Sequence, residues 1–279
     1  MKKTIVKKSL FLIILLSLLC IVNVGFTQTD TKPKNGPEKT YYDDGSVHEE
    51  MNYVNNLLDG PYKSYYPDGS LEAECTYKAN MKEGLYRKYF ESEGLEFECY
   101  YINDLKHGDY FSYHENGQTF VECIFVNDKL NGAYKEYYEN GNLVGELIYK
   151  DDSIDGLYKS YYESGKLFIE SSFKNGVEEG QHKEFFETGA LHYIGNYVNG
   201  VEDGTVKIFY DNGNLEFLIT YVNGNKNGPC KYYFKNGNIK YDTNYKNDKV
   251  DGSMKNYSEE GKFLYETIYK DGVAGEVKY

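Results

Sequence analysis

Three cysteines, Cys75, Cys99 and Cys123, stand 24 residues apart. Thiols at a fixed interval could serve as a row of metal ligands or as redox partners. The same interval limits what they can do. If each 24-residue step is one β-hairpin, equivalent strands lie two strand spacings apart, roughly 9.6 Å. A disulfide needs Cα atoms within about 7 Å, and one tetrahedral zinc gathers its sulfurs more tightly still. The row therefore reads as small buried hydrophobes, with Met51, Leu147 and Ile219 at the same place in other steps. Cys230 lies apart from them, where Tyr usually stands.

The other candidates for chemistry are equally dispersed. His48, His107, His114, His182 and His192 fall in four columns of the repeat, and the two that share a column, His48 and His192, are six units apart. No Ser or Cys nucleophile has a base beside it. The expectation is no catalytic residue, no metal, no cofactor and no enzyme. The pairs Asp43–Asp44 and Asp151–Asp152 fall in predicted turns, where Asp serves turn geometry. Weak calcium binding is the alternative reading of such pairs.

What must position these residues is a repeat. With Gly60 as position zero, glycines recur at Gly84, Gly108, Gly132, Gly156, Gly180, Gly204, Gly228 and Gly252, and Gly36 precedes them by the same step. Ten units without insertion run from 36 to 275, which points to a solenoid-like array. A second glycine sits at position nine: Gly45, Gly69, Gly117, Gly141, Gly165, Gly189, Gly213, Gly237 and Gly261. Only one unit breaks this column. There Glu93 takes the slot and Gly94 follows, so that turn should be built differently. Asp-Gly and Asn-Gly flanked by alternating apolar residues signal hairpins. The expected fold is all-β: an elongated antiparallel hairpin array in one twisted sheet, about twenty strands and on the order of 95 Å long.

The columns set faces and register. Position five is aromatic in every unit, including Tyr65, Tyr89, Tyr113, Tyr137, Tyr161, Phe185, Phe209 and Tyr233, and position seventeen is aromatic throughout. Position eleven is aliphatic or Phe except at Thr119. Position three is mostly basic (Lys63, Arg87, Lys135, Lys159) and position fourteen mostly acidic (Glu74, Glu98, Glu146, Glu170). A two-residue turn at positions eight and nine pairs three with fourteen, cation opposite anion. A three-residue turn with a glycine bulge would slip that pairing by one. The two-residue turn is therefore expected, with the position-five aromatics on the charged face and the leucines of position eleven on the apolar one. Gly275–Tyr279 resembles the start of an eleventh unit, with 276–279 closing the edge strand.

Composition narrows the partners. Tyr numbers 32 and Trp is absent, while the net charge is −13. With one arginine, Arg87, the chain lacks the basic face that a polyanion binder needs, so nucleic acid is not an expected partner. A basic protein partner fits better. Residues 1–27 read as an export signal: lysines, an apolar run Leu10–Val22 shorter than a membrane span, then small and polar residues. Removal of the signal's four lysines makes the mature chain more acidic and leaves no expected membrane span. Leu19 stands where lipidation of Cys20 expects a small residue, which argues against a lipoprotein. Residues 28–35 read as a polar tether. The mature protein is expected in the periplasm, at the cell surface or outside the cell.

The unit carried by Gly132, Tyr134, Tyr137, Tyr138, Gly141, Leu143, Tyr149 and Gly156 resembles MORN repeats, in the bacterial variant of the YwqK-like antitoxin family. The resemblance implies hairpins in an extended array and a role in binding, scaffolding or toxin neutralisation. The residues themselves favour an exported, non-catalytic protein-binding module. Its contact row would be the position-five aromatics with Lys63, Lys135 and Lys159 beside them. Mutual stiffening of the sheet is the competing role for that row. A glycan-binding surface protein and an antitoxin or immunity protein are the alternatives, and oligomeric state is left open.

Overall fold

Asn-Asn, Asn-Asp, Asp-Asp and Asn-Gly pairs at positions nineteen and twenty tolerate the left-handed region, and this chain uses them to turn every second strand. The computed structural model describes residues 33–279. The expected signal 1–27 and most of the tether lie outside the described residues. Residues 34–279 form one unit and one antiparallel sheet of 27 strands. In the first repeats β1 (Gly36–Tyr41) pairs with β2 (Val47–Val54), and β2 pairs with β3 (Leu57–Leu58) and β4 (Gly60–Tyr65). Next, β4 pairs with β5 (Leu71–Lys78). The pattern repeats to a last strand, Val273–Lys278, which sets Lys278 opposite Glu266. Lys34 and Asn35, expected in the tether, bond to the Asn55–Asn56 turn as part of the array.

The turns at position nine are not the expected two-residue turns. At Tyr66–Ser70 the Gly69 amide donates to the Tyr66 carbonyl and the Tyr66 amide to the Ser70 carbonyl. This is a three-residue turn with a left-handed glycine. The glycines Gly69, Gly117, Gly141, Gly165, Gly189, Gly213 and Gly237 all hold φ between +81° and +91°. The two-residue turns lie at positions nineteen and twenty instead, as at Asn55 (φ 50°) and Asn56 (φ 69°), where both residues are left-handed. The turn with Glu93 is not built differently either. Its hydrogen bonds match the others, and Glu93 is held at φ 66° where glycine would sit.

The charge pairing survives because a second irregularity cancels the first. Tyr65 pairs with Leu71, but Ser64 pairs with Ala73 and Lys63 with Glu74. Glu72 is the extra residue, a β-bulge that moves the register by one. The bulge also flips position eleven. Leu71 shares the face of Tyr65, Lys63 and Glu74, not the face of Ala73 and Cys75. The expectation that position-eleven leucines line the apolar face is thus corrected. A further irregularity lies at the zero glycine. Gly60 (φ 122°) follows a register jump between the Tyr53–Leu58 and Glu50–Lys63 pairs.

The core lies on the face of positions two, four, thirteen, fifteen and seventeen. Met51, Ala73, Cys75, Cys99, Val121, Cys123, Ile169, Ile219 and Cys230 are buried there. In a single sheet, rings do the covering: the residue at position two packs against the aromatic at seventeen. The centroid distances are 5.4 Å for Tyr62–Tyr77, 5.7 Å for Tyr86–Tyr101 and 5.7 Å for Tyr134–Tyr149.

Candidate functional site

The face opposite the rings carries the predicted contact row. Its centre is a continuous cross-strand line from Glu50 through Lys63, Glu74, Arg87, Glu98, Phe111, Glu122, Lys135, Glu146, Lys159 and Glu170 to Lys183. Each cation from Lys63 to Lys159 lies between carboxylates on both flanking strands. Lys63 is 3.8 Å from Glu74, Arg87 is 3.1 Å from Glu98 and 3.5 Å from Glu74, and Lys183 is 3.0 Å from Glu170. Lys135 and Lys159 stand 3.8 Å and 3.9 Å from Glu122 and Glu146. Such exposed pairs contribute a few tenths of a kcal/mol each. Their larger effect is to fix register and present alternating charge.

Tyr65, Tyr89, Tyr113, Tyr137, Tyr161, Phe185, Phe209 and Tyr233 lie on this face, half-buried. The hydroxyls of Tyr65, Tyr89 and Tyr161 donate to Glu50, Glu74 and Glu146 of the preceding unit at 3.2, 3.1 and 2.8 Å. Desolvation, then the nearby Glu122 and Glu146 carboxylates, push the phenols of Tyr137 and Tyr161 up to about 12. Tyr137 and Tyr161 are therefore held neutral, and the hydroxyl bonds fix Tyr65, Tyr89 and Tyr161 in place.

Sequence reasoning missed two features. The second Tyr of each doublet ties neighbouring units. Tyr42, Tyr66, Tyr138, Tyr162 and Tyr210 donate to the carbonyls of Tyr65, Tyr89, Tyr161, Phe185 and Tyr233, and His114 contacts the Tyr137 carbonyl at 2.9 Å. The doublet spacing carried that signal. The other edge is tied as well, with Leu58, Lys82, Lys106 and Leu130 amides donating to Asn80, Asp104, Asp128 and Asp152. Asp152 is thereby explained by turn bonding. The second missed feature is His182 on the ring face. Its Nδ1 lies 2.6 Å from Glu178 and its Nε2 3.4 Å from Glu184. Burial works against its charge, but the two carboxylates outweigh this and raise it to about 9.

The four described cysteines are free and buried. Desolvation raises the thiols of Cys75 and Cys230 to about 11 and that of Cys123 to about 12. Among the described residues no group of three His, Cys, Asp or Glu side chains could hold a metal ion, and no helix is long and apolar enough to cross a membrane. A depression on the charged face, lined by Gln118, Thr119, Glu122 and Tyr137, is open to solvent.

An open sheet of stacked hairpins, tied along both edges, defines a repeat scaffold of the kind that presents a surface. The chain belongs to the MORN repeat variant family. That family's model matches residues 34–55, 58–79, 106–127, 130–151, 154–175, 178–199, 202–223 and 226–247, well over half of the chain. The hairpin with Glu93 falls between the matches yet folds like the rest. No curated protein matches the chain. The solved structures similar to it include those of TcdB2-TccC3-Cdc42 and TcdB2-TccC3. The first has 12% identity over 84% of this chain and 16% of that one, with a TM-score of 0.21. The second has 10% identity over 84% of this chain and 18% of that one, with a TM-score of 0.17. The chain spans less than a fifth of either.

Proposed function

We propose that the chain is an exported, non-catalytic scaffold that binds a protein partner along the charged face. The observation that supports this most directly is the alignment of aromatics, three of them held by hydroxyl bonds, beside the alternating charges. Fixed rings lose little side-chain entropy on contact, which favours binding. An array of this kind offers contact area and spacing in place of an enclosed reaction site.

The test is capture of envelope proteins by the protein and by its Tyr65→Ser/Tyr89→Ser variant, with circular dichroism to check the fold. Partners held by the wild type and lost by a folded variant support the reading. Equal capture by both removes the position-five row. A parallel glycan array and a growth-rescue assay against a neighbouring toxin gene distinguish the glycan and antitoxin roles.

A further inference from the structure

The charged face is not uniform along the array. Its rows at positions one and sixteen hold Pro61 with Thr76, Gln181 with Asn196 and Thr205 with Thr220 in flanking units. In four central units the same rows hold Leu85 with Tyr100, Ile124 opposite Asp109, Ala133 with Ile148, and Leu157 with Ser172. Tyr100, Ile148 and Leu157 are 52%, 47% and 43% exposed, high values for such side chains. Ile124 and Ile148 lie over Gly132 and Gly156, where an added Cβ would meet them at 3.1 and 3.3 Å, so the stripe continues from unit to unit. Beside it, Phe111 stands where other units place a cation. The result is a stripe four units long, apolar except at Asp109 and Ser172, bordered by the charge row.

We infer that this stripe is a self-association surface, and that its occupant is the same stripe on a second copy of the chain. Two arguments favour that partner. Charges alternating at one strand spacing, about 4.8 Å, are matched in period by another cross-strand row, and this chain carries one. The area also suffices. Four units by three rows cover about 38 Å by about 20 Å, close to the ~800 Å² that each partner of a specific complex buries.

The pattern selects the symmetry. A two-fold axis in the plane of contact, parallel to the strands and between Thr119–Val126 and Lys129–Tyr137, sets the basic strands of the four central units over acidic ones. Ile124 then meets Ala133 of the second copy and Tyr100 meets Leu157, while Asp109 falls beside Ile148 and Phe111 faces Glu146. Glu122 faces Lys135, Glu98 faces Lys159 and Arg87 faces Glu170. Packed sheets cross at about 30°, so the match is best at Glu122 and Lys135 beside the axis.

This rests on the reading of the charged face as a contact face. The two fail separately, since self-association is measured without any foreign protein. Sedimentation velocity on the protein up to ~0.1 mM should show a dimer, whereas a monomer throughout overturns the inference. The Ile124→Glu/Ile148→Glu variant should be monomeric with an unchanged circular dichroism spectrum. A dimer that survives these changes also overturns it. Glu122→Lys and Lys135→Glu should each weaken self-association roughly tenfold or more, through like charges at the axis. Mixed together they should pair, because one variant then brings two lysines to the axis and the other brings two glutamates. Failure of the mixture to associate more tightly than either variant alone refutes the symmetry.

Discussion

His182 offers the most quantitative test of how this array is held together. Every unit from Gly60 to Gly156 places Tyr at position two, on the ring face, but the unit at Gly180 places a histidine between Glu178 and Glu184. Ser171 donates to Glu178, and Tyr193 and Tyr197 pack against the imidazole at 5.5 and 5.6 Å. The ordinary imidazole value of 6.5 is raised to about 9, and each tenfold change in proton affinity is worth ~1.4 kcal/mol. That gives about 3 kcal/mol, trimmed by solvent screening to roughly 2 kcal/mol because the partner Glu184 side chain keeps 34% exposure. The folded-state value lies above the unfolded one, so the contribution is complete below pH ~6.5 and disappears as pH rises through about 9. Glu178 and Glu184 are both lowered, Glu184 chiefly by its hydrogen bond to His182 and Glu178 by His182 and Ser171 against its own burial. They are the same interaction seen from the other side and are not added. Urea denaturation followed by circular dichroism should show a stability gap between wild type and His182→Gln. From pH ~6 to pH ~9.5 the gap should shrink by about 2 kcal/mol. A gap that does not change over that range, or a His182 resonance titrating at or below its ordinary value, would refute the reasoning.

Glu93→Gly should stabilise the array by roughly 0.5–1 kcal/mol in the same assay. Relief of a left-handed non-glycine residue, about 1–2 kcal/mol, exceeds the added chain entropy of glycine; a destabilised variant would contradict the shared turn geometry. Gly195→Ala should cost about 1–3 kcal/mol, because its Cβ would lie 2.6 Å from the Tyr193 hydroxyl. Tyr193→Phe removes that atom, which is buried without a partner, so the double variant should recover much of the loss. The thiols of Cys75, Cys99, Cys123 and Cys230 should resist alkylation in the native state and react on unfolding, as mass spectrometry of labelled peptides would show. Rapid native labelling at these four would place them outside the core.

The 24-residue step was legible because both turns recur in phase, and the charge pairing was legible because Lys63 and Glu74 face each other in fact. Local register was not. A three-residue turn and a bulge at Glu72 cancel at the charge pair, so a two-residue turn predicts the same partners for Lys63 but the wrong face for Leu71. The Glu93 turn was misread because one residue type was taken to decide a conformation that the neighbouring hydrogen bonds impose. His182 was missed for a different reason. Its partners are four residues before it and two after, in separate strands on either side of a bulge, and no column spacing announces that meeting.

The ties along the two edges bear on how such a chain can change its length. Tyr66 reaches the carbonyl of Tyr89, and Leu58 reaches Asn80, each across one whole period. A single inserted residue would misalign both margins at once, whereas duplicating or deleting a complete period would leave every bond with an equivalent acceptor. Variation in copy number should therefore come in whole multiples of two dozen residues, making the molecule a ruler whose graduations evolution can add or remove but not stretch.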